Sequence, residues 1–325
     1  MATPLFPGKE LVFGTILGMG GSCFVSYIDE HTVYKGYEIR VNGRRKSYYP
    51  ISCEEDLARE FAVYQHLGPH DCILRCYGLD VIHDEPPIAK PHRSKAKVPP
   101  PPAVAVHALR LELAPHGTVR DLIQKKLPGS PLPLPARLRL CRDVAAAVAH
   151  THSRGVWHQD LSCRNFLLFP GTGAGDGDGD GGGDCPYPYR AKLGDFGGSI
   201  IQGREDEFPT IVGEEPQYML PNRGRADMDD RPLIKRELFA LGCCLYEIMA
   251  WRRPHQGQTD SEVAKQYERG EFPSLKEEED GRGDIPAAVA KAIDGCWNEV
   301  YDSADRVLAI LENVGIGRER PRDDW

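Results

Sequence analysis

The sequence has no apolar run long enough to cross a bilayer. Its longest near-apolar stretch, Leu238–Trp251, contains Glu247 and falls short of the ~20 residues that a spanning helix needs. The first residues, Met1–Glu10, have neither a basic start nor an apolar core, so they do not resemble a signal peptide. The cysteines form no C-x-x-C pair and no Cys/His metal spacing. These absences predict a reduced protein of the cytoplasm or nucleus, with no membrane partner.

Positive charge is not in excess either. The formal net charge of −8 argues against nonspecific binding to nucleic acid or to an anionic membrane surface. The hydrophobic fraction of 41% and the charged fraction of 27% are ordinary for a globular protein. A chain of 325 residues has room for two modest domains or for one domain with two lobes.

A polar loop between two apolar ends occupies Val156–Leu168, V-W-H-Q-D-L-S-C-R-N-F-L-L. It holds Asp160 and, five residues later, Asn165. An aspartate there can accept the proton of an attacking hydroxyl, and an asparagine oxygen can ligate Mg²⁺. Further along, Lys192–Gly197 (K-L-G-D-F-G) places Asp195 at a predicted strand end, where its carboxylate can bind a metal that bridges nucleotide phosphates. This pattern favours phosphoryl transfer.

These two segments resemble the H-R-D-x-x-x-x-N and D-F-G motifs of eukaryotic protein kinases. The first motif alone is shared with small-molecule kinases, whereas the two in succession are a strong signal. The resemblance runs from about Leu11 to Leu311. It implies an α+β, two-lobed protein kinase fold: a small β-rich N-lobe with one main helix over residues 1–113, and a larger, mostly helical C-lobe over residues 114–325.

The N-lobe is expected to open with a strand over Leu11–Leu17 and a glycine-rich turn. Glycines there let backbone N–H groups approach phosphates, because no Cβ intervenes. By resemblance to the kinase glycine-rich loop, Gly18, Gly20 and Val25 would bind ATP. Cys23 replaces the third glycine of that pattern, and a plain hairpin turn is the alternative.

Lys35 follows ten residues after that valine, in a V-x-K that resembles the V-A-I-K strand of kinases. A lysine there can hold the α- and β-phosphates if an acidic partner orients it. The apolar stripe of Glu54–Leu67 predicts the next helix, with Ser52 as its N-cap. By resemblance to the kinase αC helix, Glu60 is the expected partner of Lys35; an ordinary surface glutamate is the alternative.

A strand predicted over Ala105–Leu113 resembles the kinase hinge, whose backbone binds adenine. By register, Leu111 would be the gatekeeper, and Glu112 and Ala114 would supply the backbone contacts. Thr118 is predicted to cap the helix that follows.

Two helices are predicted for the centre of the C-lobe. Ala136–Ser153 carries an apolar face, and Glu237–Trp251 is apolar nearly all round, which implies a buried helix. The second resembles the kinase αF helix. Glu237 stands where the family has an aspartate and is expected to hold the backbone of the Asp160 loop.

Two insertions interrupt the kinase pattern. Residues 86–102 are proline-rich and basic, so an exposed loop is expected, with a ligand for a proline-binding module as the alternative. Residues 171–184 are rich in Gly and Asp and mimic the opening of a calcium loop. Tyr187 stands where the bidentate Glu would be needed, so a disordered insertion is favoured.

Some departures from the kinase pattern affect the expected chemistry. Ser162 replaces the family's catalytic-loop lysine, and Arg164 is expected to stabilise the transferring phosphoryl group instead; a merely neutralising surface arginine is the alternative. Asn222 and Ala304 stand where the family has an ion pair of Glu and Arg, so both partners are expected to be missing.

Gln159 replaces the arginine of H-R-D, which in many kinases receives an activating phosphate. A neutral glutamine cannot offset a phosphate dianion. The segment Gly198–Asn222 resembles the activation and substrate-docking loop of the family. Activity is therefore predicted not to depend on phosphorylation of its few hydroxyls, which are Ser199, Thr210 and Tyr218.

The function predicted from the resemblance is transfer of the γ-phosphoryl group of Mg-ATP to a protein hydroxyl. Ser/Thr is preferred over Tyr only on family frequency, since the S-C-R-N loop and the P-Q-Y-M-L-P segment favour Tyr. The expected catalytic residues are Asp160, Lys35, Glu60 and Arg164, and the expected Mg²⁺ ligands are Asn165 and Asp195. Two alternatives remain at this stage: a nucleotide-binding scaffold with little or no catalytic activity, and a small-molecule kinase.

Overall fold

The computed structural model describes residues 11–19, 23–41, 44–47, 54–83, 105–124, 131–171, 188–207, 213–276 and 285–314. These residues form two compact units. The described residues between 11 and 65 and between 75 and 113 make up the first unit, and those of 66–74 and from 114 onward make up the second. The proline-rich insertion and residues 172–184 of the Gly/Asp-rich one, with its calcium-loop pattern, lie outside the described residues.

Residues 66–74 were expected in the N-lobe but belong to the second unit. Hydrogen bonds explain the difference, because Leu74 N donates to Leu193 O at 2.8 Å, and His150 Nε2 lies 3.1 Å from Leu67 O.

The first unit is built on an antiparallel sheet with strand order β1-β2-β3-β7-β6. A separate two-stranded ladder pairs β4 with β5. In chain order its elements are β1 Ile16–Met19, β2 Phe24–Tyr27, β3 Thr32–Gly36, β4 Glu38–Val41, β5 Arg44–Ser47, α1 Glu54–Leu67, β6 Cys76–His83 and β7 Ala105–Glu112.

The first strand begins later than the sequence predicted. Thr15 N donates to Val12 O at 2.9 Å, and Gly14 has a φ of +84°, so this stretch is a turn. β1 consequently begins at Ile16 and includes Gly18, which was expected in the glycine-rich turn. A left-handed backbone at Gly14 costs little, because glycine has no Cβ.

Helix α1 begins and ends where the sequence predicted, at Glu54 and Leu67. The apolar stripe is buried at Leu57, Tyr64 and Leu67. Glu60 is buried as well, because it lies at the edge of that stripe. The predicted cap, Ser52, lies outside the described residues.

The second unit is mainly helical. Its elements are α2 Val119–Gln124, α3 Leu134–Ser153, β8 Val156–Trp157, β9 Phe166–Pro170, β10 Tyr189–Leu193, β11 Ile200–Ile201, α4 Leu233–Ala250, α5 Asp260–Glu268, α6 Ala287–Trp297 and α7 Ala304–Glu312. Thr118 caps α2 as predicted, because its Oγ1 accepts from Asp121 N at 3.0 Å while Asp121 Oδ2 accepts from Thr118 N at 3.2 Å.

Helix α4 forms the core of this unit, as its sequence predicted. All its residues from 237 to 250 are buried, and α3 and α6 pack against it. The approach of α6 is close: a Cβ on Gly242 would lie 2.7 Å from the Cβ of Cys296. Among the described residues, no helix is long and apolar enough to cross a membrane.

Both core helices begin earlier than predicted. α3 begins at Leu134, because Pro135 falls in its first turn, where no backbone N–H is needed. α4 begins at Leu233, directly after Pro232, rather than at Glu237.

Candidate active site

The loop that holds Asp160 lies between the short strand β8 and strand β9, in the second unit. His158 anchors it from within, because its Nε2 lies 3.0 Å from Gly194 O and its Nδ1 accepts from Asp160 N at 3.3 Å. The imidazole thereby connects the loop to the segment that precedes Asp195. The sequence showed His158 only as part of a motif and gave it no role of its own.

Glu237 of α4 holds the backbone of the same loop. Its carboxylate accepts from Gln159 N at 2.7 Å and from His158 N at 3.2 Å, and it lies 3.4 Å from His152 Nε2. Burial alone would raise the pKa of Glu237, but the hydrogen bond to His152, the nearby imidazoles and the backbone N–H of Gln159 lower it below its ordinary value. The longer side chain of glutamate therefore reaches the loop and stays charged.

Asn165 and Asp160 are in direct contact. Asn165 Nδ2 donates to Asp160 O at 2.7 Å and to Asp160 Oδ2 at 3.1 Å. These bonds occupy the amide nitrogen and orient the amide, so that its oxygen remains to ligate a cation. Both side chains are buried.

Asp195 follows β10 and has a left-handed backbone, with a φ of +62°. The next residue, Phe196, is buried, and its ring centroid lies 5.2 Å from that of His158. The side chain of Asp195 stays exposed. An exposed carboxylate and an oriented amide oxygen are donors that suit Mg²⁺. No group of three or more His, Cys, Asp or Glu residues that could hold a metal occurs in the described part of the chain.

Arg164 lies on the Asp160 carboxylate. Its Nη2 is 2.7 Å from both carboxylate oxygens, and its Nη1 is 3.2 Å from Glu215 Oε1. Burial alone would lower the pKa of the guanidinium, but Asp160 and Glu215 raise it above its ordinary value. The side chain remains 43% exposed, so an incoming anionic group can reach it. It also neutralises Asp160, so the geometry is compatible with both roles that the sequence left open.

In the first unit, Lys35 of β3 pairs with Glu60 of α1. Lys35 Nζ donates to the two carboxylate oxygens of Glu60 at 2.8 and 2.7 Å. The two side chains are only 9% and 3% exposed, respectively. A pair so far removed from water holds the ammonium group in one place.

The other residues expected to bind nucleotide are distributed over both units. Gly18 pairs with Val25 in the β1–β2 ladder, whereas Gly20 lies outside the described residues. Glu112 N donates to Arg75 O at 2.9 Å in the first unit, and Ala114, which is buried, belongs to the second.

Asn222 and Ala304 carry no charge, so the family's ion pair is absent at these two positions, as the sequence predicted. A neighbouring ion pair has the opposite polarity. Glu299, just after α6, lies 3.3 Å from Arg223 Nη1 and 2.5 Å from Arg225 Nη2. Arg223 Nη2 also donates to Trp297 O at 2.5 Å. The cations therefore follow Asn222, and the anion follows helix α6, the reverse of the family's arrangement. The sequence signal was an arginine directly after Asn222.

We expect Glu299→Gln to lower the free energy of unfolding by about 1–3 kcal/mol, because two partly buried arginines lose their shared anion. Urea unfolding of the parent and the variant measures the difference. Glu312→Gln, at an exposed position of α7, is the control and should change stability by less than about 0.5 kcal/mol. Equal midpoints for parent and Glu299→Gln would show that the pair carries no stability.

A family model described as protein kinase domain matches residues 14–307. A probable LIM domain-containing serine/threonine-protein kinase of Dictyostelium discoideum is 27% identical over 320 residues, which cover 96% of this chain and 41% of that protein.

The serine/threonine-protein kinase PknB of Mycobacterium tuberculosis is 22% identical over 321 residues, and PknB of Mycobacterium leprae is 22% identical over 324 residues. Each alignment covers 98% of this chain and 45% of the relative. The chain therefore spans less than half the length of these three relatives.

Proposed function

Because the chain belongs to the protein kinase domain family, we propose that it transfers the γ-phosphoryl group of ATP to a hydroxyl of a protein substrate. The observation that carries the proposal is the catalytic loop itself. Asp160 is buried in contact with Asn165 and Arg164, so the residues proposed as base, metal ligand and phosphate-binding cation lie within one loop. The residues to 113 and those from 114 would serve as the two lobes, apart from residues 66–74, which group with the later one.

Asp160 would accept the proton of the attacking hydroxyl as the new O–P bond forms. Arg164 would place its guanidinium on the transferring phosphoryl group, where a fixed fork of N–H donors matches phosphate oxygens. Asn165 and Asp195 would hold Mg²⁺, which supplies charge neutralisation on the phosphate oxygens when bound.

Lys35, oriented by Glu60, would hold the α- and β-phosphates. Gly18, Gly20 and Val25 would lie over the phosphates, and the backbone of Glu112 and Ala114 would bind adenine. Among the residues that the structure describes, a Cβ on Gly18 would meet Val25, at 4.0 Å.

A serine or threonine hydroxyl is the proposed acceptor, since the relatives are serine/threonine-protein kinases. A nucleotide-binding scaffold is less well supported, because Lys35, Glu60, Asp160, Asn165 and Asp195 all retain their side-chain chemistry. A small-molecule kinase would need Asp160 and Asn165 but no loop that docks a protein. Binding of a proline-recognising partner by residues 86–102 would be a function separate from phosphoryl transfer.

The test is to incubate the purified protein with Mg²⁺, radiolabelled ATP and a generic protein substrate, and to separate the products by size. Label in the protein fraction supports the proposal. Label in small molecules would favour the small-molecule kinase, and nucleotide binding without any transfer would favour the scaffold.

We expect Lys35 and Glu60 to act as a unit. Lys35→Ala and Glu60→Ala should each reduce the transfer rate, and the double variant should lose much less than the sum of the two losses in activation free energy. The reason is that each change alone leaves a buried charge without its partner. Transfer rates of the four proteins give the coupling. Additive losses would mean that the contact contributes nothing to the reaction.

A further inference from the structure

The Glu215 carboxylate contacts three arginines, which come from separate parts of the second unit. Arg120 of α2 donates through Nη1 to both carboxylate oxygens at 2.7 Å. Arg253, just after α4, donates to Oε2 at 2.9 Å, and Arg164 of the catalytic loop lies 3.2 Å from Oε1. The Glu215 side chain is only 12% exposed. Burial would raise its pKa, but the three guanidinium groups lower it, so the carboxylate is charged at neutral pH.

One of the three arginines, Arg164, belongs to the catalytic loop and also contacts Asp160. The Arg164 guanidinium therefore joins two carboxylates, through Nη2 to Asp160 and through Nη1 to Glu215. A planar fork held at two of its nitrogens has little freedom to rotate. The position of Glu215 thus restricts where Arg164 can sit on Asp160.

Glu215 is itself held to the core helix α4. Besides binding Glu215, Arg120 donates to Glu247 of α4 at 3.1 and 3.2 Å and to the Tyr218 hydroxyl at 2.7 Å. The Tyr218 hydroxyl also donates to Glu247. Glu215 and the one-turn helix Pro216–Tyr218 that follows it are therefore fixed to the buried helix α4.

Within the described part of Gly198–Asn222, no accessible hydroxyl could carry a phosphate that binds these arginines. Tyr218 is 1% exposed and Ser199 is buried, with its hydroxyl 3.3 Å from His158 O. Gln159 Nε2 is buried and has no hydrogen-bond partner among the described residues. Thr210 lies outside them. The anion that the arginines require is already present as Glu215.

We propose that Glu215 is a positioning residue that fixes Arg164 on Asp160 and ties the segment from 213 to 222 to the catalytic loop by a charge built into the sequence. The inference rests on the proposed function. Phosphorylation is then unnecessary for this link, because a carboxylate occupies the place where the arginines converge.

The chain offers a matched control in the neighbouring residue. Glu214 is similarly buried, at 7% exposure, and also binds arginines, Arg231 at 3.2 Å and Arg236 at 2.8 Å. These arginines are different ones, and the contacts of Arg164 run to Asp160 and Glu215. Glu214→Gln therefore removes an equivalent charge from the same segment without touching the proposed link.

The experiment compares the parent with Glu215→Gln, Glu215→Asp and Glu214→Gln. In Glu215→Gln, kcat should fall about 10- to 100-fold, the factor for losing one charge-assisted hydrogen bond, while KM for ATP stays within about twofold. Glu215→Asp, which keeps the charge, should recover most of kcat. In an Arg164→Gln background, Glu215→Gln should change kcat by less than about threefold, because the link is already absent.

Hydrogen exchange of the amides from 158 to 165, without substrate, gives a readout independent of activity. It should be faster in Glu215→Gln and unchanged in Glu214→Gln. If Glu215→Gln and Glu214→Gln behave alike in both kcat and exchange, the inference is wrong. If the parent transfers no phosphoryl group, the proposed function fails, and the exchange result alone still decides whether Glu215 fixes the loop.

Discussion

Asp160→Asn is expected to slow transfer to a protein substrate by about 10²- to 10⁴-fold, the usual contribution of a general base. Asparagine has nearly the shape of aspartate, so the contact with Asn165 can be kept. It cannot accept the hydroxyl proton, and it gives Arg164 one oxygen in place of two. The affinity for ATP should change little, because Asp160 is assigned to the hydroxyl and not to the nucleotide.

Initial rates with a generic protein substrate, together with equilibrium binding of a fluorescent ATP analogue, measure the two expectations. Asp206→Asn is the matched control, since it makes the same chemical change at an exposed position and should leave both quantities unchanged. Equal rates for the parent and Asp160→Asn would refute the assignment of the base and would favour the scaffold.

Glu237→Gln is expected to have the second largest effect, on stability and activity together. The buried N–H groups of His158 and Gln159 would lose their shared carboxylate. Weakened bonds to a buried charged acceptor should lower the free energy of unfolding by about 2–4 kcal/mol and disorder the loop that carries Asp160. Urea unfolding at neutral pH measures the first effect, and the transfer rate measures the second.

The pH dependence of this difference has a definite sign. The folded-state pKa of Glu237 lies below its unfolded value, so its contribution is fully present above the unfolded pKa, about 4.3, and is lost as the pH falls through the lowered folded pKa. The difference between parent and Glu237→Gln should therefore shrink below about pH 4. A difference that grew on acidification would mean that Glu237 is protonated in the folded protein at neutral pH.

Sequence patterns predicted the elements that depend on local periodicity or on a fixed motif. The apolar stripe of α1 placed Glu60 at its inner edge, and the structure brings that side chain to Lys35. The nearly uniform apolarity of α4 predicted a buried helix, and it is buried. In both, neighbours in sequence carry the signal, so one chain suffices.

The features that were missed depend on contacts between distant residues. The reversed pair of Arg223 and Glu299 joins positions 76 residues apart, and both residues have positive φ, at 52° and 58°. Neither is a residue type that favours such a backbone, so composition gave no hint. Glu215 likewise gave no signal of its own in the sequence, because its three arginines come from separate elements.

The central claim is that this chain phosphorylates protein hydroxyls, and mass spectrometry of a generic protein substrate tests it most directly. After incubation with Mg²⁺ and ATP, the substrate should carry phosphoryl groups on serine or threonine when the parent protein is present. These groups should be nearly absent when Asp160→Asn replaces the parent. An unmodified substrate, in the presence of parent protein that binds ATP saturably, would contradict the claim.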